Sequence, residues 1–420
     1  MRKMFHTKSW SIWFVATLFI ALQIFISILF GISTKELSLA LSIGDAGVGN
    51  IAAVYILAYA LIQIPAGFML DRLSIKYTLF IGSLLTAIGL FILGTTHSVL
   101  LAYAAAILMG VATSFSFIAA VILIGRWFSP QMFSVVVGMT SGFNGLIASL
   151  ITYAVLYASP AIHLNYIILT AVLGIIITVL LVLVIKDYPK GTVQAETEHK
   201  PVSIFTEIYK SVCNLQIFLA SVITALIYGS MLSFITFWNI QYQKLYGLDL
   251  ITISLLNITA LFGIAIGAPL LGMLSEKIGK RKPVGMGICV CLFLSLTVLL
   301  QPIKLPISVV FITMFCVGLF ANNVPIGFSL VKENSEPQFI GTAIAYANTI
   351  LFLGVSLFNF LPGGISDFLH SFKRVSVHSY ISKDISYMSM SLYIYPLAAI
   401  VALILLFFIK ETNCKPRGDS

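Results

Sequence analysis

The sequence predicts an all-α membrane protein in which twelve transmembrane helices form two pseudo-symmetric six-helix bundles. Three observations carry that expectation. Of 420 residues, 59% are hydrophobic and only 9% charged, against about a quarter charged in soluble domains, so lipid has to cover much of the surface. Apolar runs long enough to cross a bilayer, about 20 residues each, recur twelve times between Trp10 and Ile409. One loop sequence also returns at an offset of 205 residues, which two homologous halves explain most simply.

The runs fall at 10–32, 46–70, 77–95, 99–125, 133–157, 164–185, 215–242, 250–274, 284–300, 306–330, 340–362 and 388–409. The first follows the basic opening MRKMFHTK and in outline imitates a secretory signal. It is long enough to span and shows no convincing cleavage site, so it reads as the first helix. The longest hydrophilic interruption, Lys186 to Asn214, follows the sixth run. It divides the chain into a first bundle (1–185), a cytoplasmic linker (186–214) and a second bundle (215–420). The Pro, Gly and charge content of that stretch suits a linker, and SIFTEIYKSV within it reads as a short amphipathic helix on the membrane surface. The other conspicuous gap, Ser366 to Tyr387, precedes the last helix.

Charge sets the orientation. The net charge of +9 would raise the question of nucleic acid in a soluble protein, but its distribution answers differently. With the amino terminus inside and twelve reversals, eighteen of the 24 Lys and Arg fall in cytoplasmic segments and six, such as Lys244 and Lys304, outside. That asymmetry obeys the positive-inside rule with both termini cytoplasmic, so no nucleic-acid partner is expected. The short loops and termini point to a bacterial inner membrane. The partners expected are the lipid bilayer, a small-molecule substrate and either a coupling proton or sodium ion or no ion at all, transport being secondary active or facilitative, with the chain acting as a monomer. Five cysteines form no CxxC pair, so neither a disulfide framework nor a metal or other cofactor is expected.

The repeat aligns Gly67, Asp71, Arg72 and Lys76 with Gly272, Glu276, Lys277 and Arg281, without gaps. Each copy follows an apolar helix carrying a proline a few residues upstream, Pro65 and Pro269. A weaker echo at an offset of 206 places Phe133 and Phe339 at corresponding helix starts. These loops resemble the signature of the major facilitator superfamily: a Gly, three residues, an acid-base pair, then a Gly and basic residues, after the second helix and again after the eighth. The carry-over covers Gly67, Asp71, Arg72 and Lys76 in the first copy, and Gly272, Glu276, Lys277, Gly279, Lys280 and Arg281 in the second. The first copy departs from the pattern at Ser74, where Gly is usual, and at Ile75, where a base is usual.

A helix amino terminus carries roughly half a positive charge, so a carboxylate beside one is stabilising. The resemblance implies that Asp71 faces the start of helix eleven near Gly341 and Glu276 the start of helix five near Phe133 to Val135. Such contacts would close the cytoplasmic side and break when it opens, with Gly67, Asp71, Arg72, Gly272, Glu276 and Lys277 as gating residues. The plainer reading is that Asp71 and Arg72 only fix the topology of a tight loop.

The resemblance also implies a secondary transporter that binds its solute near mid-depth and exposes it to each side in turn. Ionisable groups at that depth are expensive and usually functional, and here every charged residue is assignable to a loop, terminus or helix end. An intramembrane proton-carrying acid and an arginine clamp are both missing from the pattern. The fifth helix, with Gly138, Gly142 and Asn144, lacks the Gly-Pro pair of many proton-coupled drug antiporters. Neutral polar and aromatic groups remain as substrate-binding candidates: Gln23, Tyr55, Tyr59, Asn144, Tyr228, Asn239, Asn257, Asn322, Asn323 and Asn348. Tyr55, Tyr59 and Gln63 share one helical face, and Pro325 removes a backbone hydrogen bond just after the Asn pair. Each candidate has a structural alternative, because amides commonly bond membrane helices together and tyrosines populate the interfacial belt.

Amides and phenols without fixed charge suit a neutral or zwitterionic polar solute such as an amino acid, peptide, sugar or nucleoside. The alternative is efflux of an amphipathic drug-like compound, siderophore or organic anion. An enzyme would need an acid, base or metal set at one depth, and no such cluster is visible.

Overall fold

The computed structural model describes residues 2–157, 166–189, 209–210, 213–371 and 383–415. The regular structure in those residues is all helical, without a strand. Among the described residues twelve helices are long and apolar enough to cross a membrane, which makes this an integral multi-pass membrane protein. Their outer faces carry exposed Leu61, Leu100, Leu183, Phe360 and Phe407, apolar side chains that need lipid rather than water around them.

In chain order, the first half comprises α1 (Arg2–Ile32), a short α2 (Thr34–Leu41), α3 (Asp45–Arg72), α4 (Ile75–Thr95), α5 (Val99–Thr113), α6 (Phe115–Trp127), α7 (Pro130–Tyr157) and α8 (Tyr166–Val184). Helices α5 and α6 make up one span. The second half begins with a span built of α9 (Leu215–Thr224), α10 (Ser230–Ser233) and α11 (Asn239–Leu245), joined by π-helical turns at Ala225–Gly229 and Phe234–Trp238. There follow α12 (Leu250–Ile278), α13 (Lys282–Leu299), α14 (Ile307–Ala321), α15 (Val324–Asn334), α16 (Ile340–Ser371), α17 (Lys383–Leu392) and α18 (Ile394–Phe408).

Local signals set the ends. Asn214 accepts from Gln216 N and Ile217 N to cap α9, and Asp249 from Ile251 N and Thr252 N to cap α12, the expected use of Asn and Asp at such positions. Hydrogen bonds from the Thr252 side chain and backbone hold the Asp249 carboxyl below its ordinary range. Gly279, in the left-handed region at φ 69°, ends α12, a conformation glycine adopts at little cost. At the matching place of the first copy, Ser74 instead caps α4, its Oγ accepting a long 3.5 Å bond from Tyr77 N.

Several helices outrun the apolar runs that announce them. Asp71 and Arg72 still belong to α3, Glu276 and Lys277 to α12, and Lys332 and Glu333 to α15. Backbone hydrogen bonding continues past the lipid boundary, whereas hydropathy marks only the boundary. The tenth run, expected to be continuous over 306–330, is interrupted at Asn322–Asn323. The surface helix α2 had no announcing signal. Apart from Tyr209 and Lys210, the expected amphipathic linker helix lies outside the described residues.

Packing groups the chain into two compact units: Met1–Phe133, Tyr157–Cys213 and Ser335–Thr349 in one, and Ser134–Leu156, Asn214–Asn334 and Ile350–Ser420 in the other. In the first unit α4 packs on α5 and α8, and α3 on α5. Thr178 Oγ1 donates to Ser83 Oγ at 2.8 Å, and Ser83 Oγ to Gly174 O at 3.3 Å, the hydroxyl bonding that joins helices where apolar burial gives no preference. In the second unit α12 packs on α14, α13 on α18 and α9 on α15.

Candidate functional site

In the first unit a stripe of residues four apart runs down α3: Tyr55, Tyr59, Gln63, Gly67 and Asp71. That spacing keeps one face in register, and its lower part meets the start of α16. The Asp71 carboxylate accepts from Gly341 N at 2.8 Å, Thr342 N at 2.8 Å and Thr342 Oγ1 at 3.0 Å. One turn up, a Cβ on Gly67 would lie 2.5 Å from Ala345 Cβ and 2.6 Å from Gly341 O, so only glycine allows this approach. One turn further, Asn348 Nδ2 donates to Gln63 Oε1 at 3.0 Å, leaving Gln63 Nε2 buried without a partner. Above that, Tyr55 donates to the Gln23 carbonyl at 3.3 Å and lies 3.4 Å from Thr113 Oγ1. Tyr59 is buried on the same face. Arg72 stacks over the Phe68 ring at 3.7 Å.

The second copy of the loop keeps the glycine geometry and changes the acid's partner. A Cβ on Gly272 would come within 2.9 Å of Ser134 O, at the start of α7. Glu276 accepts from Arg281 Nη2 at 2.8 Å. Arg281 is only 1% exposed and also binds Glu333 at 2.6 Å. Burial alone would lower its pKa, but hydrogen bonds and charge from Glu333, with the charge of Glu276, hold it above its ordinary value. Glu411 accepts from Arg281 N and Lys282 N at 2.8 and 2.9 Å, capping α13. Lys277 points outward, exposed. Basic residues after a helix end signalled this cluster; nothing in the sequence paired Arg281 with Glu333.

The remaining candidates lie in the second unit. Asn239 Nδ2 donates to Asn257 Oδ1 at 2.6 Å, and Gln243 Nε2 to Asn239 Oδ1 at 3.3 Å, so the structure joins two predicted residues through an amide chain that includes the unpredicted Gln243. Tyr228 lies in the first π-helical turn, half-buried. Asn144 Oδ1 is buried without a partner.

The break at Asn322–Asn323 follows from backbone accounting. Pro325 has no N–H for the Ala321 carbonyl, which instead accepts from Asn323 N at 3.2 Å, while Val324 N turns to Asn322 Oδ1, also at 3.2 Å. Neither amide then serves the carbonyl four residues back, at Leu319 or Phe320. The side chains are equally unsettled: Asn322, 0% exposed, leaves Nδ2 without a partner, and Asn323, 3% exposed, leaves Oδ1 so. The structure thus brings Gln63 to Asn348 and Asn239 to Asn257, and leaves Asn144, Asn322 and Asn323 with unmet polar atoms.

Among the described residues no cluster of His, Cys, Asp and Glu is arranged for a metal ion. Compared with known families, the sequence matches the one described as Major Facilitator Superfamily over residues 12–359, and in a second match over 246–413. A search of curated proteins found no significant match.

Proposed function

Because the chain belongs to the major facilitator superfamily, whose members are membrane transporters, we propose that it moves a small neutral or zwitterionic polar solute by alternating access. The observation that carries this reading is the interruption between α14 and α15. There a buried donor, Asn322 Nδ2, and a buried acceptor, Asn323 Oδ1, have no protein partner. An unsatisfied polar group away from water costs several kcal/mol, and a solute offering one acceptor and one donor removes that cost. The charged residues of the described spans all lie within three residues of a span end, which supports a solute without a strong net charge. Amphipathic efflux fits less well, since an apolar ligand would leave both amides unmet.

The solute site proposed in the second unit comprises Asn322 and Asn323 with Asn144, Tyr228, Asn239 and Asn257. In the first unit the proposed solute residues are Gln23, Tyr55, Tyr59 and Asn348, with the Nε2 of Gln63 that has no hydrogen-bond partner. The Asp71–Gly341 contact serves as a gate beside them, Gly67 and Arg72 shaping it, and Gly272, Glu276 and Lys277 form its counterpart. The chain folds as two bundles, 1–185 and 215–420, with both termini cytoplasmic, and acts as a monomer in a bacterial inner membrane.

The test is uptake into proteoliposomes of radiolabelled neutral amino acids, dipeptides, hexoses and nucleosides, with Asn322→Ala as control. Transport of one class, weakened about 5- to 30-fold by loss of a net hydrogen bond of about 1–2 kcal/mol, supports the reading. Transport of organic anions alone, unaffected by Asn322→Ala, refutes it. Collapsing proton and sodium gradients separately identifies the coupling ion, and undiminished flux assigns facilitated diffusion.

A further inference from the structure

The second unit also contains a cavity of about 370 Å3, within the size range of small-ligand sites, that none of the proposed solute residues lines. It lies where α11 and α13 end and α14 begins, at the boundary of three spans. Its walls are apolar, formed by Leu248, Leu299, Leu305, Ile307 and Val310. Ile303 and Ile307, at 53% and 45% exposed, leave the mouth apolar as well.

The polar end of the cavity is already occupied by its own bonding. Tyr242 and Tyr246 each donate to the Gln301 carbonyl, at 3.1 and 3.2 Å, so their protons are not offered to a ligand. The charged lining residue is Lys304, which is exposed and has no hydrogen-bond or ion-pair partner among the described residues. The neighbouring acid, Asp249, is turned away into the start of α12, where it also accepts from Thr252 Oγ1 at 2.6 Å. Apolar walls at the ends of three spans, with one unpaired cation at the rim, suit an apolar chain ending in an anion.

We infer that this cavity binds one acyl chain whose carboxylate or phosphate head pairs with Lys304. A free fatty acid and an anionic phospholipid share that chemistry. The full chain, purified in a neutral detergent, is titrated with laurate, phosphatidylglycerol or uncharged dodecanol, and retained ligand is counted by native mass spectrometry. One retained anion per protein is expected, with dodecanol held at least tenfold more weakly. Lys304→Glu, an exposed change that does not challenge folding, weakens retention at least tenfold; Val310→Trp, which fills the cavity, removes it. Retention of laurate alone assigns a free acid as the occupant, and of phosphatidylglycerol a membrane lipid; either upholds the site. Equal retention by the wild type and Lys304→Glu, or no retention by the wild type, overturns it.

Discussion

Replacing Asp71 by alanine removes one carboxylate that serves three donors, Gly341 N, Thr342 N and Thr342 Oγ1. Hydrogen bonds to a charged group are worth about 1.5–3 kcal/mol each, and a carboxylate in the first turn adds about 0.3–1 kcal/mol through the helix dipole. The three bonds share one acceptor group that is only partly buried, so they do not sum. A loss of about 2–4 kcal/mol is expected, which converts to roughly 30- to 800-fold in the opening equilibrium of the first turn of α16. Asp71→Asn keeps one acceptor oxygen but loses the charge, and should cost about 1–2 kcal/mol, or roughly 5- to 30-fold. Hydrogen exchange followed by mass spectrometry over Ile340–Ala343 measures this directly, since the Gly341 and Thr342 amides exchange only when the contact opens. An Asp71→Ala rate within threefold of wild type would refute the capping argument. Faster exchange with unchanged transport in proteoliposomes would leave the cap in place and remove its gating role.

Three further outcomes follow from the same geometry. Gly67→Ala places a methyl against Ala345 and the Gly341 carbonyl and should cost about 1–3 kcal/mol by overpacking, seen as a lower Tm and, again, faster exchange at Gly341; a neutral result means the two helices separate freely. Glu333→Gln leaves the buried Arg281 guanidinium with Glu276 as its one carboxylate partner and Ser275 Oγ as a neutral one and should destabilise by about 3 kcal/mol, the low end for a broken buried pair because one ionic partner remains; an unchanged Tm would show that the cluster contributes no net stability. Asp249 has a folded pKa below its unfolded value, so its stabilising share is full above the ordinary aspartate range, about pH 4, and is lost as pH falls through the depressed pKa. Asp249→Asn should flatten that part of the Tm-against-pH curve, and parallel curves for the two proteins would contradict the assignment.

The two loop copies show where sequence reading stops. Gly67 and Gly272 behave alike because a close helix approach depends on the absence of a side chain, a property the residue itself carries. Asp71 and Glu276 diverge because a carboxylate goes to whichever donor is nearest in space. For Asp71 that is the bare start of α16, and for Glu276 it is the guanidinium of Arg281, five residues on. The helix break at Asn322–Asn323 was half legible: Pro325 predicted lost backbone bonding, but where the chain bends and which amides stay unmet depend on the neighbours. The pairing of Gln63 with Asn348 left no local trace, since either amide alone reads as helix glue or as a ligand group.

The amino-acid sequence alone determined that this chain carries twelve runs long and apolar enough to cross a membrane and a duplicated loop, because the cost of placing backbone and charge in lipid is set residue by residue. Only the tertiary structure decided which polar atoms found partners. Hydrogen bonds and ion pairs are properties of two groups brought within about 3 Å, and helices distant in sequence supply them.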